Sequence, residues 1–199
     1  MTKFAPGVPI LRGTFHVQMA ALLPTAWAVL ATVRPDRLYE LTVAALVCEF
    51  QLIASARLHL LWHVLSPRNL KWTQSIDHCM IAVSVAAIGW VFGARMTFIV
   101  LLCLAHFWEK LVNGPHTFTR MNGTMIAATF VAVVIETVPV LNTWEQKMRF
   151  AICSANVVVA KLAYLAEWPC RGHSVWDYHD LSHLTTTAVM AIMFWEVLA

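Results

Sequence analysis

Seven apolar runs alternate along the chain with short polar or turn-forming segments. They are Val17–Val33, Leu38–His59, Asp77–Phe92, Met96–Lys110, Gly123–Leu141, Met148–Trp168 and His179–Leu198. A helix needs about 20 largely apolar residues to cross a hydrocarbon core. The pattern therefore predicts an all-α membrane protein, a seven-transmembrane-helix bundle. Turn signals divide the runs: Arg34-Pro35-Asp36, Ser66-Pro67-Arg68-Asn69, Gly93-Ala94-Arg95, Asn113-Gly114-Pro115, Asn142 and Pro169-Cys170-Arg171-Gly172. Seven spans consume about 140 residues. What remains makes only short loops, so residues 1–199 read as a single domain with consecutive helices antiparallel.

Composition agrees with this pattern. Hydrophobic residues make up 59% of the 199 and charged residues 13%, where a soluble protein carries roughly 25% charged. Mean hydropathy is +0.65. These values exclude a disordered chain, a soluble nucleic-acid binder and a secreted disulfide scaffold. A net charge of +3 is too mild to imply a nucleic-acid partner. Cys48, Cys79, Cys103 and Cys153 lie in apolar stretches and read as small packing residues, with Cys170 left open. Lys3, Pro6, Pro9 and Arg12 precede the first run, which reads as a span rather than a cleavable leader. Loops on the N-terminal side, Lys110 included, carry seven cationic residues against five opposite. That is a small bias to an inside N-terminus.

Ionisable groups in a span are costly and usually face the bundle interior. By helix parity three span ends share the N-terminal side: the end of span two, the start of span three and the start of span seven. The first carries Ser55, His59 and His63, the second Asp77 and His78, and the third Asp177, His179, Asp180 and His183. His179 and His183 are four apart, hence on one helix face. Such a pair can hold one metal ion. His59 is available as a third ligand, and three histidines plus a water make the open form of a zinc site. Asp77 is placed to orient or deprotonate that water. Ser55, one turn from His59, is placed to donate a hydrogen bond to a developing oxyanion.

Chance must be set against this. Nine histidines placed at random give about 0.4 H-x3-H pairs, and one such pair alone carries little weight. The convergence of serine, histidine, aspartate and a histidine pair on one face carries more. Interfacial or structural histidines are the competing reading. His63 and His78 are extra imidazoles, either of which can replace an expected ligand. His16, His106, His116 and His173 lie near loops or interfaces and need no special role. Glu49, Glu136 and Lys161 fall within spans, where Lys161 pairing with either glutamate, or snorkelling, accounts for them. Trp62 and Trp72 read as an interfacial aromatic rim.

The arrangement resembles the CREST superfamily of seven-helix membrane proteins. That group includes alkaline ceramidases, adiponectin and progestin receptors, hemolysin III proteins, Per1 proteins and myomaker. Its pattern is S-x3-H ending helix two, an aspartate opening helix three, and H-x3-H opening helix seven, matched here by Ser55 and His59, Asp77, and His179 and His183. Leu22-Leu-Pro-Thr25 and the compact length look most like the myomaker group, and Asp177 is also similar to the Per1 pattern. The resemblance implies a Zn2+ ion on His59, His179 and His183, with Asp77 and Ser55 either catalytic or supporting the ligands from behind. It implies hydrolysis of a membrane lipid amide or ester bond inside an integral, multi-pass membrane protein, with the lipid bilayer and a lipid substrate as partners. The alternative is a non-enzymatic receptor or membrane-remodelling protein whose zinc clamps spans two and seven. A retinal protein or an ordinary signalling receptor fits poorly: span seven lacks a Schiff-base lysine, and there is no Asp-Arg-Tyr or Asn-Pro-x-x-Tyr.

Overall fold

A computed structural model describes residues 14–61, 64–114, 120–166 and 178–199. Among them there are seven α-helices and no strand: α1 (Thr14–Val33), α2 (Leu38–Leu61), α3 (Pro67–Val91), α4 (Thr97–Asn113), α5 (Arg120–Thr137), α6 (Trp144–Ala166) and α7 (Tyr178–Leu198). Each matches one apolar run. Three of them, reckoned as Thr14–Val33, Pro35–Leu61 and Pro67–Val91, are long and apolar enough to cross a membrane. The α4 helix has 17 residues, about 25 Å of rise. The segments Thr124–Val140 and His183–Leu198 are apolar but shorter than the three.

The largest departure from the sequence pattern is at α3. Ser66-Pro67-Arg68-Asn69 reads as a turn, yet it opens the helix: the Ser66 hydroxyl accepts from the Asn69 amide at 3.3 Å, and Pro67 occupies the first turn. A serine cap and an early proline are helix-start chemistry as much as turn chemistry. Asp77 therefore sits about three turns inside α3 rather than at its start. Lys110, expected at a loop, lies within α4 and is only 4% exposed.

Two apolar centres hold the bundle. One joins α1, α2 and α7 through Leu23, Leu41, Leu52, Phe194 and Val197. The other joins α3 to α7 through Ile88, Ile99, Val133, Phe150 and Met193, with the Phe92 and Phe150 rings edge-on at 5.2 Å. At Gly89 the helices pack so closely that a Cβ would lie 2.8 Å from Ile99 Cδ1. Outward, every helix exposes large apolar side chains, among them Leu22, Phe50, Ile76, Leu104, Ile135, Leu162 and Trp195. Water-soluble monomers rarely show an apolar surface so continuous.

The connections at one end of the bundle are tight. Gly93 adopts φ +82° to turn α3 toward α4, and Met96 follows at φ 64°. The Glu136 carboxylate of α5 accepts both the Thr97 amide, at 3.0 Å, and the Phe98 amide, capping α4 from a neighbouring helix. This is where Glu136 goes, in place of a pairing with Lys161. A carboxylate there answers the unbonded amides and the positive pole of a helix N-terminus.

Candidate metal centre

The first apolar centre sets α1, α2 and α7 side by side. At the end where α1 and α7 begin and α2 finishes, it gives way to imidazoles. His16, His59 and His183 each offer a ring nitrogen, and these three atoms lie within 4.8 Å of one another. The His16 and His183 ring centroids are 3.9 Å apart at an interplanar angle of 81°, and His59 lies 5.5 Å from His183 and 5.7 Å from His16. Antiparallel α1 and α2 bring His16 and His59 together, because both lie near the same helix ends.

His16 is 3% exposed, and neither of its ring nitrogens has a hydrogen-bond partner among the described residues. Leaving a buried polar group unsatisfied costs about 1–3 kcal/mol. Three converging imidazoles, one of them with both nitrogens unsatisfied, form the donor set of a borderline-soft cation. Zn–N bonds of about 2.0–2.1 Å in a tetrahedral site put ligand nitrogens about 3.3 Å apart, so the rings would draw in by up to about 1.5 Å. The residues fit a zinc ion.

Of the three histidines expected as ligands, His59 and His183 converge. His179 belongs to α7 one turn before His183, but its side chain lies outside the described residues, as do His63, His116, Cys170, His173 and Asp177. His78 is not among the three converging histidines; Lys110, His106 and Lys161 lie within its electrostatic reach. The residue that sequence reasoning passed over is His16. Its signal was available, because parity places the start of span one on the face already singled out, and His16 directly precedes Val17.

Ser55 and Asp77 do meet. The Ser55 hydroxyl hydrogen-bonds the Asp77 carboxyl across the α2–α3 contact, and the two residues are 2% and 5% exposed. Asp77 Oδ1 has no partner among the described residues. Ser55 and His59 share a face of α2 one turn apart, so the pair is joined to the imidazole group through that helix.

Comparisons with family models, curated proteins and solved structures find no match to this chain.

Proposed function

We propose that the chain is a multi-pass membrane protein, a seven-helix bundle holding a zinc ion on His16, His59 and His183, and that it hydrolyses an amide or ester bond of a membrane lipid. The apolar surface presented by every helix supports the multi-pass reading. The observation that carries the metal is the convergence of three imidazoles with the unsatisfied His16 ring. Zinc there would supply Lewis-acid polarisation of a lipid carbonyl. Asp77 Oδ1 is the atom free to take a proton from an attacking water. The Ser55 hydroxyl orients that carboxylate. Buried placement of both groups strengthens their electrostatic action. The Ser55, His59, Asp77, His179 and His183 pattern shared with the CREST superfamily points the same way.

One observation favours the clamp reading. His16 adds an imidazole to the pattern, so His179 as a further ligand would close the coordination shell with four histidines. A closed shell is the mark of a structural zinc site. Mass-spectrometric detection of fatty acid released from ceramides, phospholipids and GPI-like lipids separates the two. Release by the parent protein and its loss in Asp77→Asn supports hydrolysis. Zinc-replete protein that releases nothing from any of them contradicts hydrolysis and leaves the clamp.

A further inference from the structure

A cleft of about 350 Å³ opens at the end of the bundle opposite the imidazoles, where α2 begins and α3 and α7 finish. Val91 and Val197, which belong to the apolar centre of α1, α2 and α7, give it apolar walls. Tyr39 and Trp90 line it as well, with ring centroids 6.2 Å apart and planes at 78°, so the two rings make a corner. Its charged residues are Arg37 and Glu40. Gly93 borders it, and a Cβ there would meet nothing within 4 Å, so the turn leaves the cleft clear.

Arg37 Nε and Glu40 Oε1 stand 3.6 Å apart, beyond hydrogen-bond distance. The two side chains are 39% and 34% exposed. So loose and wet a pair contributes little, and a ligand can part its charges at small cost. Asp36, the other carboxylate near Arg37, is held by Arg34 at 3.0 Å. The cleft thus offers one cation, one carboxylate and an aromatic corner between apolar walls. A phosphate joined to a quaternary ammonium answers all of these. A guanidinium grips phosphate with a fork of N–H donors. A carboxylate and the faces of tryptophan and tyrosine attract a quaternary ammonium. Tyrosine and tryptophan alone are ordinary at a membrane boundary, but an aromatic belt does not require opposite charges beside them in one cleft. Arg37 directly precedes α2, Tyr39 and Glu40 lie in its first turn, and Trp90 and Val91 end α3. In spanning helices such ends lie at the level of the head groups.

We propose that Arg37, Tyr39, Glu40 and Trp90 form a recognition site for a phosphocholine group, the head group of a zwitterionic membrane lipid. Arg37 takes the phosphate, and Glu40 with the two rings takes the trimethylammonium. The site rests on the multi-pass reading and is independent of the metal and of hydrolysis, which belong to the other end of the bundle.

The test is native mass spectrometry of the purified full chain, with phosphatidylcholine and phosphatidylglycerol added in turn. Both lipids carry the phosphate, and only the first carries the cation. Retention of phosphatidylcholine is expected to exceed that of phosphatidylglycerol by about tenfold. Glu40→Gln and Trp90→Leu should each bring the ratio close to one, and Arg37→Gln should lower retention of both lipids. Glu40 and Trp90 lie on different helices, so one misfolded variant does not spoil the test, and far-ultraviolet circular dichroism identifies it. Equal retention by the parent overturns the proposal, as does a ratio unmoved by both Glu40→Gln and Trp90→Leu. Glycerophosphocholine in excess, a soluble carrier of the same group, separates the sources. Displacement of the lipid supports a site open to free phosphocholine compounds; lipid that resists displacement supports the membrane head group as the source. Failure of the multi-pass reading would show separately, as chain released from membranes by alkaline carbonate.

Discussion

The two ends of the bundle treat their buried carboxylates differently. At the end where α1 and α7 finish, the two buried carboxylates, Glu136 and Glu196, are both engaged, while Thr137 Oγ1 and Arg37 Nε have no hydrogen-bond partner among the described residues. Glu136 accepts two α4 amides, and Glu196 of α7 accepts from Gln146 at 3.1 Å and from Arg149 of α6. Arg34 bonds Asp36 and the Leu198 carbonyl, tying the end of α1 to the end of α7. At the other end Asp77 keeps one oxygen unpartnered, and His16 and His106 keep all their ring nitrogens so, among the described residues. Buried polar groups in native folds are normally satisfied. The first end spends its two buried carboxylates on holding helices together. Among the described residues, the second leaves these donors and acceptors open.

That contrast predicts where mutations cost stability and where they cost chemistry. The largest effect falls on the engaged end. Glu196→Ala strips the partner from Arg149, whose side chain is 13% exposed, and removing one member of a buried pair costs about 3–5 kcal/mol. Thermal unfolding should show it, with zinc per folded chain unchanged. Asp77→Asn should do the reverse. Zinc and unfolding temperature hold, and lipid hydrolysis falls about 100-fold, as expected for loss of a general base. A variant that loses zinc and stability together would place Asp77 among the structural groups. Smaller effects belong to the tight turn: Gly93→Ala forces a side chain to φ +82°, with nothing within 4 Å to clash, so the cost is the conformational one of about 1 kcal/mol. Smallest is Ser66→Ala, which removes an exposed helix cap worth about 0.5–1 kcal/mol. Both are read in the same unfolding assay, and neither should alter zinc content.

Helix number and order were legible in the sequence because an apolar run of near-span length has few other uses. Helix starts were less so. Ser66-Pro67 carries the same residues in a turn as in an N-cap, and only the course of the backbone decides between them. His59 and His183 were legible from spacing and parity. His16 was legible by parity alone and not by spacing, because it has no i+4 histidine and its neighbours come from α2 and α7. Glu136 shows the same limit from the other side: a glutamate within an apolar run suggests an ion pair, whereas its partners are backbone amides that no side-chain pattern announces.

Histidines of three helices are expected to gather one metal ion where α1 and α7 begin and α2 finishes. Metal analysis of purified parent protein beside a His16→Ala/His183→Ala variant tests it most directly. About one zinc per parent chain, lost in the variant, is the predicted result. A parent free of zinc after supplementation, or a variant that keeps stoichiometric zinc, would contradict it.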